Sequence, residues 1–466
     1  MPNLTRMSTP ATPTAGTTGG GQDPATEGNP RGRVVVASLI GTSIEFYDFY
    51  IYATAASLVF PALFFPNTED PTTQLLSSFA VFGVAFVARP VGSVLFGHFG
   101  DRIGRKTTLV ASLLTMGIAT VLIGLIPSAS TPGWAVAAPA VLVLCRFCQG
   151  LGLGGEWSGA ALLATENAPQ GKRAVYGTFP QLGAPIGFIL ANTVFIALSG
   201  SLTPKQFADW GWRIPFLASA ILVIIGLWVR LSLLETPAFR KVLEAEAVTK
   251  VPVARVFSTS WRKIVSGTFI MLATYVLFYL MTTFTLNYGV APTAPADGAP
   301  AGLGYEKIDF LWMLIIGVVF FGIFTLASGP MAERFGRRKH LIWVTVAIIL
   351  FGGSFVPLFA AGDVGVQTLL ILGFTLMGLT FGPMAAVLPE LFPSNVRYTG
   401  SGIAYNLSSV LGAAVAPFIA VWLWAQADGS PVLVGVYLSV MAVITLVSLI
   451  TTRETRDVDY DTNVSA

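Results

Sequence analysis

The fold class predicted by this sequence is an all-α membrane protein, with twelve transmembrane helices in two pseudo-symmetric six-helix bundles. Three observations predict it. The 466 residues are 54% hydrophobic and 11% charged, with a mean hydropathy of +0.71, whereas a soluble domain carries roughly 25% charged residues. Apolar windows of about 20 residues, the length that crosses a bilayer, recur along the whole chain. Finally, the charged segment Gly97-His98-Phe99-Gly100-Asp101-Arg102-Ile103-Gly104-Arg105-Lys106 is matched in the second half by Gly329-Pro330-Met331-Ala332-Glu333-Arg334-Phe335-Gly336-Arg337-Arg338. Half-length repetition in a hydrophobic chain marks a duplicated bundle.

The windows begin near Val34, Gln74, Thr107, Trp134, Ala174 and Trp212, and then near Lys263, Ile308, Leu341, Val366, Thr399 and Pro431. They predict an N-terminal bundle over 33–230, a central loop over 231–262 and a C-terminal bundle over 263–452. A disordered N-terminus (1–32) and a short tail (453–466) flank them. Basic residues gather on one side: Arg31, Arg33, Arg102, Arg105, Lys106, Lys172, Arg173, the run from Arg230 to Lys263, Arg334, Arg337, Arg338, Lys339, Arg397, Arg453 and Arg456. The other side holds Lys205, Arg213 and Lys307. The positive-inside rule then places both termini and the central loop in the cytoplasm of a multi-pass protein. The 48 glycines suit helices that pack closely through small residues. A second repeat agrees with the first: Glu166-x-x-Pro169-x-x-x-Arg173 follows the fourth span, and Glu390-x-x-Pro393-x-x-x-Arg397 follows the tenth.

Several function classes are excluded. A net charge of +3, spread evenly, offers no nucleic-acid footprint. Cys145 and Cys148 sit in an apolar run with no βαβ context, so their C-x-x-C spacing is neither a redox motif nor a disulfide framework. The glycines at 97, 100 and 104 fit tight turns, and no strand precedes them, so they do not form a phosphate-binding loop. No Ser-His-Asp set, metal cluster or nucleotide loop is visible, so no enzyme activity, cofactor or ATP drive is expected. No short apolar core with a cleavage site is present, and no removable signal peptide is read.

The G-x-x-x-D-R-x-G-R-K segment between spans two and three resembles the signature loop of the major facilitator superfamily, as Arg146-Phe147-Cys148-Gln149-Gly150-Leu151-Gly152 resembles its R-x-x-Q-G-x-G motif. More narrowly, Gly41–Tyr50, Arg89-Pro90-Val91-Gly92, Gly154–Ala161, Trp210–Phe216, Glu235–Phe239 and Glu390-Leu391-Phe392-Pro393 resemble the metabolite:proton symporter family. The likeness runs from about residue 33 to 456. It implies the major facilitator fold and a bacterial inner-membrane transporter, by analogy with shikimate, α-ketoglutarate, citrate and proline/betaine carriers. The implied partners are protons, a small-molecule substrate and the lipid bilayer, and the implied state is a monomer.

A charged side chain at mid-bilayer costs about 2.5–3.5 kcal/mol on insertion scales, so each one needs a reason. Five stand out: Glu45 and Asp48 in span one, Arg89 in span two, and Arg146 and Glu156 in span four. At a rise of 1.5 Å per residue, Asp48 and Arg146 each lie roughly 20 Å into their helices and share one layer. An aspartate facing an arginine is ionised, and it can take a proton once the arginine turns to a substrate. The alternative is a static pair that fixes helix packing. Glu45, one turn from Asp48, shares the proton or lines the cavity wall, while Arg89 and Glu156 are expected to form an inner pair. Arg146 or Arg89 would grip a carboxylate in a bidentate fork. Gln149, Gln181, Tyr275, Tyr279, Asn287, Tyr405 and Asn406 are candidates to read the rest of the substrate, or else interhelical hydrogen bonds.

The loops are expected to gate. Asp101 would cap the helix that starts near Thr399 across the domain seam, with Gly97 beside it and Arg102 and Arg105 holding neighbouring acids. Glu333, with Arg334 and Arg337, would do the same in the other half. Glu166, Arg173, Glu390 and Arg397 complete this layer. The whole predicts proton-coupled uptake of a small carboxylated or zwitterionic metabolite by alternating access. The alternatives are a proton-driven exporter and a non-transporting nutrient sensor.

Overall fold

In a bilayer the backbone has only itself to bond to, so each long apolar run closes its own hydrogen bonds as a helix. The computed structural model describes residues 31–66, 71–231, 252–294 and 300–458, and among them no strand occurs. The expected disordered N-terminus lies almost wholly outside the described residues.

Among the described residues, twelve long helices follow in order. The first half comprises α1 (Arg31–Leu58), α2 (Pro71–Ile103), α3 (Arg105–Leu125), α4 (Ala137–Glu166), α5 (Arg173–Ser201) and α6 (Arg213–Leu231). The second comprises α7 (Trp261–Val290), α8 (Lys307–Phe335), α9 (Arg337–Gly352), α10 (Gly362–Glu390), α11 (Ser394–Gln426) and α12 (Val432–Thr451). Ten of them are long and apolar enough to cross a membrane. The other two are α1, which carries Glu45 and Asp48, and α9, which a short helix over Phe355–Ala360 follows.

The duplication is visible in the packing. In the first half α2 lies on α4, α1 on α5 and α3 on α6; in the second α8 lies on α10, α7 on α11 and α9 on α12. Every pair recurs six helices later. The halves meet along a seam where α11 packs on α2 and α4, and α5 packs on α8. Small residues permit the closest crossings: a Cβ on Gly154 would sit 2.1 Å from the Arg89 carbonyl oxygen, and one on Gly378 would sit 2.6 Å from that of Phe321.

Two expectations need correcting. The 231–262 stretch is not all loop, because a helix over Pro252–Thr259 buries Val256 against Ile264, Phe392, Val396 and Ile403. Nor do Gly97 and Gly100 make turns, since α2 continues through both to Ile103. The turns fall at Gly104 (φ +112°) and Gly336 (φ +92°), a backbone region that glycine enters without strain.

Candidate functional site

Helices with apolar outer faces turn their few charges inward. In the interior of the first bundle Glu45, Asp48, Arg89, Arg146, Glu156 and Arg230 are all buried, three acids against three arginines. Their pairing differs from the expectation. Glu156 does not meet Arg89; it receives a two-pronged ion pair from Arg230 of α6, in which Nη1 also donates to the Leu109 carbonyl at 2.7 Å. The Ser112 hydroxyl completes the site, donating to Glu156 Oε2 at 2.9 Å. The reason is helical geometry: Gly154 faces α2, and two residues on, about 200° around the helix, Glu156 faces α3 and α6. Sequence reasoning counted Arg230 only as a loop charge, because it stands at the end of its apolar run.

Asp48 and Arg146 do not pair directly either. The Ser219 hydroxyl of α6 donates to Asp48 Oδ1, while the nearby Thr120 hydroxyl of α3 donates to the Met116 carbonyl at 3.0 Å. Arg146 Nη1 donates to Gln149 Oε1 at 3.0 Å, and Gln149 Nε2 donates to Thr120 Oγ1 at 2.7 Å. The Arg146 guanidinium is thus tied through an amide to a hydroxyl of α3, and Asp48 to a hydroxyl of α6. Phe49 and Tyr52 turn ring faces to Arg146, with Cζ 4.9 Å and 4.0 Å from the centroids. Ser219 and Thr120 escaped sequence reasoning because a hydroxyl in an apolar span carries no charge signal.

Both central arginines keep unused donors. Arg146 Nε and Nη2 and Arg89 Nε are buried without a hydrogen-bond partner. Arg89 instead lies among rings, 5.7 Å from Phe49, 5.6 Å from Phe86 and 6.0 Å from Tyr405. Around it stand the buried rings of Tyr50, Tyr275, Tyr279 and Tyr405, with the Tyr50 and Tyr275 hydroxyls also unbonded. Glu45 is buried with Oε2 free and feels the charges of both Arg89 and Arg230. Just beyond this layer α7 and α11 each open into a π-bulge, at Leu280–Phe284 and Val410–Ala414. Such bulges favour functional sites.

Other candidates stand apart. Asn287 is half-buried farther along α7 and makes no side-chain bond among the described residues. Gln181 accepts from Trp157 Nε1 at 2.9 Å and donates to the Phe381 carbonyl across the seam at 2.8 Å. Asn406 also spans the seam, donating to the Gly154 carbonyl at 3.0 Å. Trp157 and Tyr405 stack face to face across it at 3.9 Å. The Gln181 and Asn406 bonds belong to the closed junction, and Tyr405 links that junction to the arginine layer.

The basic end is sealed by a symmetric set. Asp101 of α2 accepts from Thr399 N at 2.9 Å, Thr399 Oγ1 at 2.7 Å and Tyr398 N at 3.3 Å, so it caps the first turn of the α11 rod. Glu333 of α8 accepts from Ala174 N at 2.7 Å and caps α5 in the opposite half. Each carboxylate meets the positive pole of a helix from the other bundle. Arg397 pairs with Glu166 across the seam at 3.7 Å, and Arg337 bonds Glu333 at 2.7 Å and Glu390 at 3.2 Å. Arg173 donates to the Val458 carbonyl. Arg102 and Arg334 are exposed and hold no acid among the described residues, while the side chain of Arg105 lies outside them. Gly97 and Gly329 matter as bare surfaces: a Cβ on Gly97 would sit 2.9 Å from Thr399 Cα, and one on Gly329 would sit 2.9 Å from Val175 Cα.

The comparisons with known proteins agree with this architecture. The family model for sugar (and other) transporters matches residues 34–462. The chain is 57% identical to the inner membrane metabolite transport protein YhjE of Escherichia coli (strain K12), over 92% of this chain and 95% of that one. It is 36% identical to the shikimate transporter of the same strain (87% and 91% covered) and 32% identical to its proline/betaine transporter (91% and 83%). Among solved structures, the proton:xylose symporter XylE superposes with a TM-score of 0.75 at 16% identity, over 93% of this chain and 98% of that one, which shows a shared fold. The chain therefore belongs to the sugar (and other) transporter family, and it is a multi-pass membrane transporter rather than an enzyme.

Proposed function

We propose that this transporter couples the inward movement of protons to uptake of a small carboxylated or zwitterionic metabolite. One observation carries the reading: Arg146 and Arg89 hold buried, unbonded guanidinium N–H groups in one aromatic layer, close to two buried acids. A donor buried without a partner costs about 1–3 kcal/mol, more for a charged group, so an arriving carboxylate relieves a penalty already present. The relatives' printed names, shikimate and proline/betaine, are those of carboxyl-bearing molecules. Tyr50, Tyr275, Tyr279 and Tyr405 would read the remainder of the substrate.

Coupling runs through the relay. While Arg146 holds Gln149, the Gln149 amide holds Thr120 beside the ionised Asp48. When a substrate carboxylate takes Arg146, Gln149 is released and the substrate's charge offsets that of the guanidinium. Asp48 then loses the support of that positive charge and binds a proton, with Glu45 as the second acceptor in reach. The positive-inside rule assigns the basic end, and with it both termini, to the cytoplasm. The sealed basic end is then the closed inner gate, and rocking of the halves breaks the two caps.

The test uses protein in liposomes loaded with a pH-sensitive dye and challenged with carboxylates, betaines and neutral sugars. Substrate-driven acidification is expected in the wild type and absent in Asp48→Asn. Thr120→Val, which leaves every charge in place, is expected to lower the protons carried per substrate. Substrate movement with no proton flux in the wild type would overturn the proposal.

A further inference from the structure

Between α7 and α12, on the outer face of the second bundle, runs a groove of about 450 Å³, lined by Val265, Ser266, Phe269, Val443, Val447 and Thr451, with Arg262 at its mouth. Its walls are apolar and open to the lipid: Val265 is 46% and Val447 56% exposed. Its floor is closed by hydroxyls that bond one another, Ser266 Oγ to Thr452 Oγ1 at 2.7 Å and Ser448 Oγ to the Ser266 carbonyl at 3.0 Å. Chains can therefore lie along it without meeting an unsatisfied polar group.

The mouth differs from the walls. Arg262 and Lys263 in the first turn of α7 and Arg453 just after α12 are exposed, and none makes an ion pair among the described residues. Trp261, 53% exposed, stands beside Arg262 with its ring 5.5 Å from the guanidinium carbon, the place an indole takes at a membrane–water boundary. The acids nearby in sequence are engaged elsewhere. Glu454 accepts from the backbone N–H groups of Arg337, Arg338, Thr455 and Arg456, and Asp457 pairs with Arg456 at 3.0 Å. The mouth is thus a cluster of positive charge with no counter-ion among the described residues, at the top of an acyl-sized furrow.

We infer that this groove is a binding site for an anionic phospholipid, its phosphate held by Arg262 with Lys263 and Arg453 and one acyl chain lying between α7 and α12. From Arg262 to Phe269 the furrow is about 10 Å long at 1.5 Å per residue, enough for the upper part of a chain. Arginine suits a phosphate because its fork donates two parallel bonds. A bound lipid would brace α7, the helix that presents Tyr275 and Tyr279 to the central layer.

The full-length protein in neutral detergent, titrated with phosphatidylglycerol or phosphatidylcholine and read by native mass spectrometry, tests this site. One tight phosphatidylglycerol is expected, with phosphatidylcholine weaker. Arg262→Ala/Lys263→Ala is expected to weaken phosphatidylglycerol about tenfold, the loss of one charge-assisted contact. Val447→Trp, which fills the groove and changes no charge, is expected to weaken it too. Both variants alter exposed residues, and a sharp size-exclusion peak confirms folding. Equal binding of the two lipids, or wild-type affinity in either variant, overturns the site. Full displacement by millimolar glycerol phosphate also overturns it, since a headgroup alone would then suffice.

Discussion

The guanidinium of Arg230 reaches Glu156 only because position 41 has no side chain: a Cβ on Gly41 would sit 2.5 Å from Arg230 Nη2. A buried pair of this kind contributes little beyond apolar packing, but breaking it by removing one partner costs about 3–5 kcal/mol. Arg230→Met should therefore lower thermal stability in detergent by that order. Arg230→Met combined with Glu156→Leu should recover most of it. A double variant no more stable than the single one would show that Arg230 acts through its bond to the Leu109 carbonyl instead. At this scale the sequence was legible where a charge interrupts an apolar run, as at Asp48, Glu45, Arg89, Arg146 and Glu156. It was not legible in the choice of partners, because partners are set by rotation about each helix axis, and a residue or two of phase turned Glu156 from α2 to α6. Arg230 was hidden by its place at a helix end, where any arginine reads as a topology charge.

At the level of elements, α2 against α11 and α8 against α5 are the contacts of the seam. A leucine at Gly97 puts its first carbon 2.9 Å from Thr399 Cα, and one at Gly329 meets Val175 in the same way. Overpacking costs about 1–3 kcal/mol, a 5- to 150-fold change in the ratio of closed to open states. Either substitution should favour opening of the basic end. A reporter is Ser158→Cys, buried at the seam opposite Gly402, with Cys145 and Cys148 replaced. Its labelling by a polar thiol reagent should rise at least fivefold, and unchanged labelling would mean that the halves do not part there. Element existence was legible in the sequence because twenty-residue apolar windows report a bilayer's thickness directly. The helix over Pro252–Thr259 was not, since its apolar face is short and finds its partner only when α2 and α11 meet.

For the whole molecule, closure of the basic end rests on two carboxylates that each belong to one half and serve the other. Removing an N-cap costs about 0.5–2 kcal/mol. Asp101→Ala and Glu333→Ala should therefore each raise Ser158→Cys labelling about fivefold, and together about 25-fold if the caps act independently. A double variant no worse than either single one would mean that the seal fails as a unit. The repeats foretold this symmetry, and Asp101 does bond Thr399. The sequence could not tell, however, that Arg397 and Glu166 pair across the seam, because covalent order says nothing of which half-repeats face each other. One contact also carries an optical consequence. Trp157 and Tyr405 lie ring on ring at 3.9 Å, with 5° between their planes, one on each half. Parallel chromophores so close couple electronically, and the coupling vanishes when they separate. The near-ultraviolet circular dichroism of unlabelled protein should therefore follow each turnover, with Tyr405→Leu as the permanently silent control.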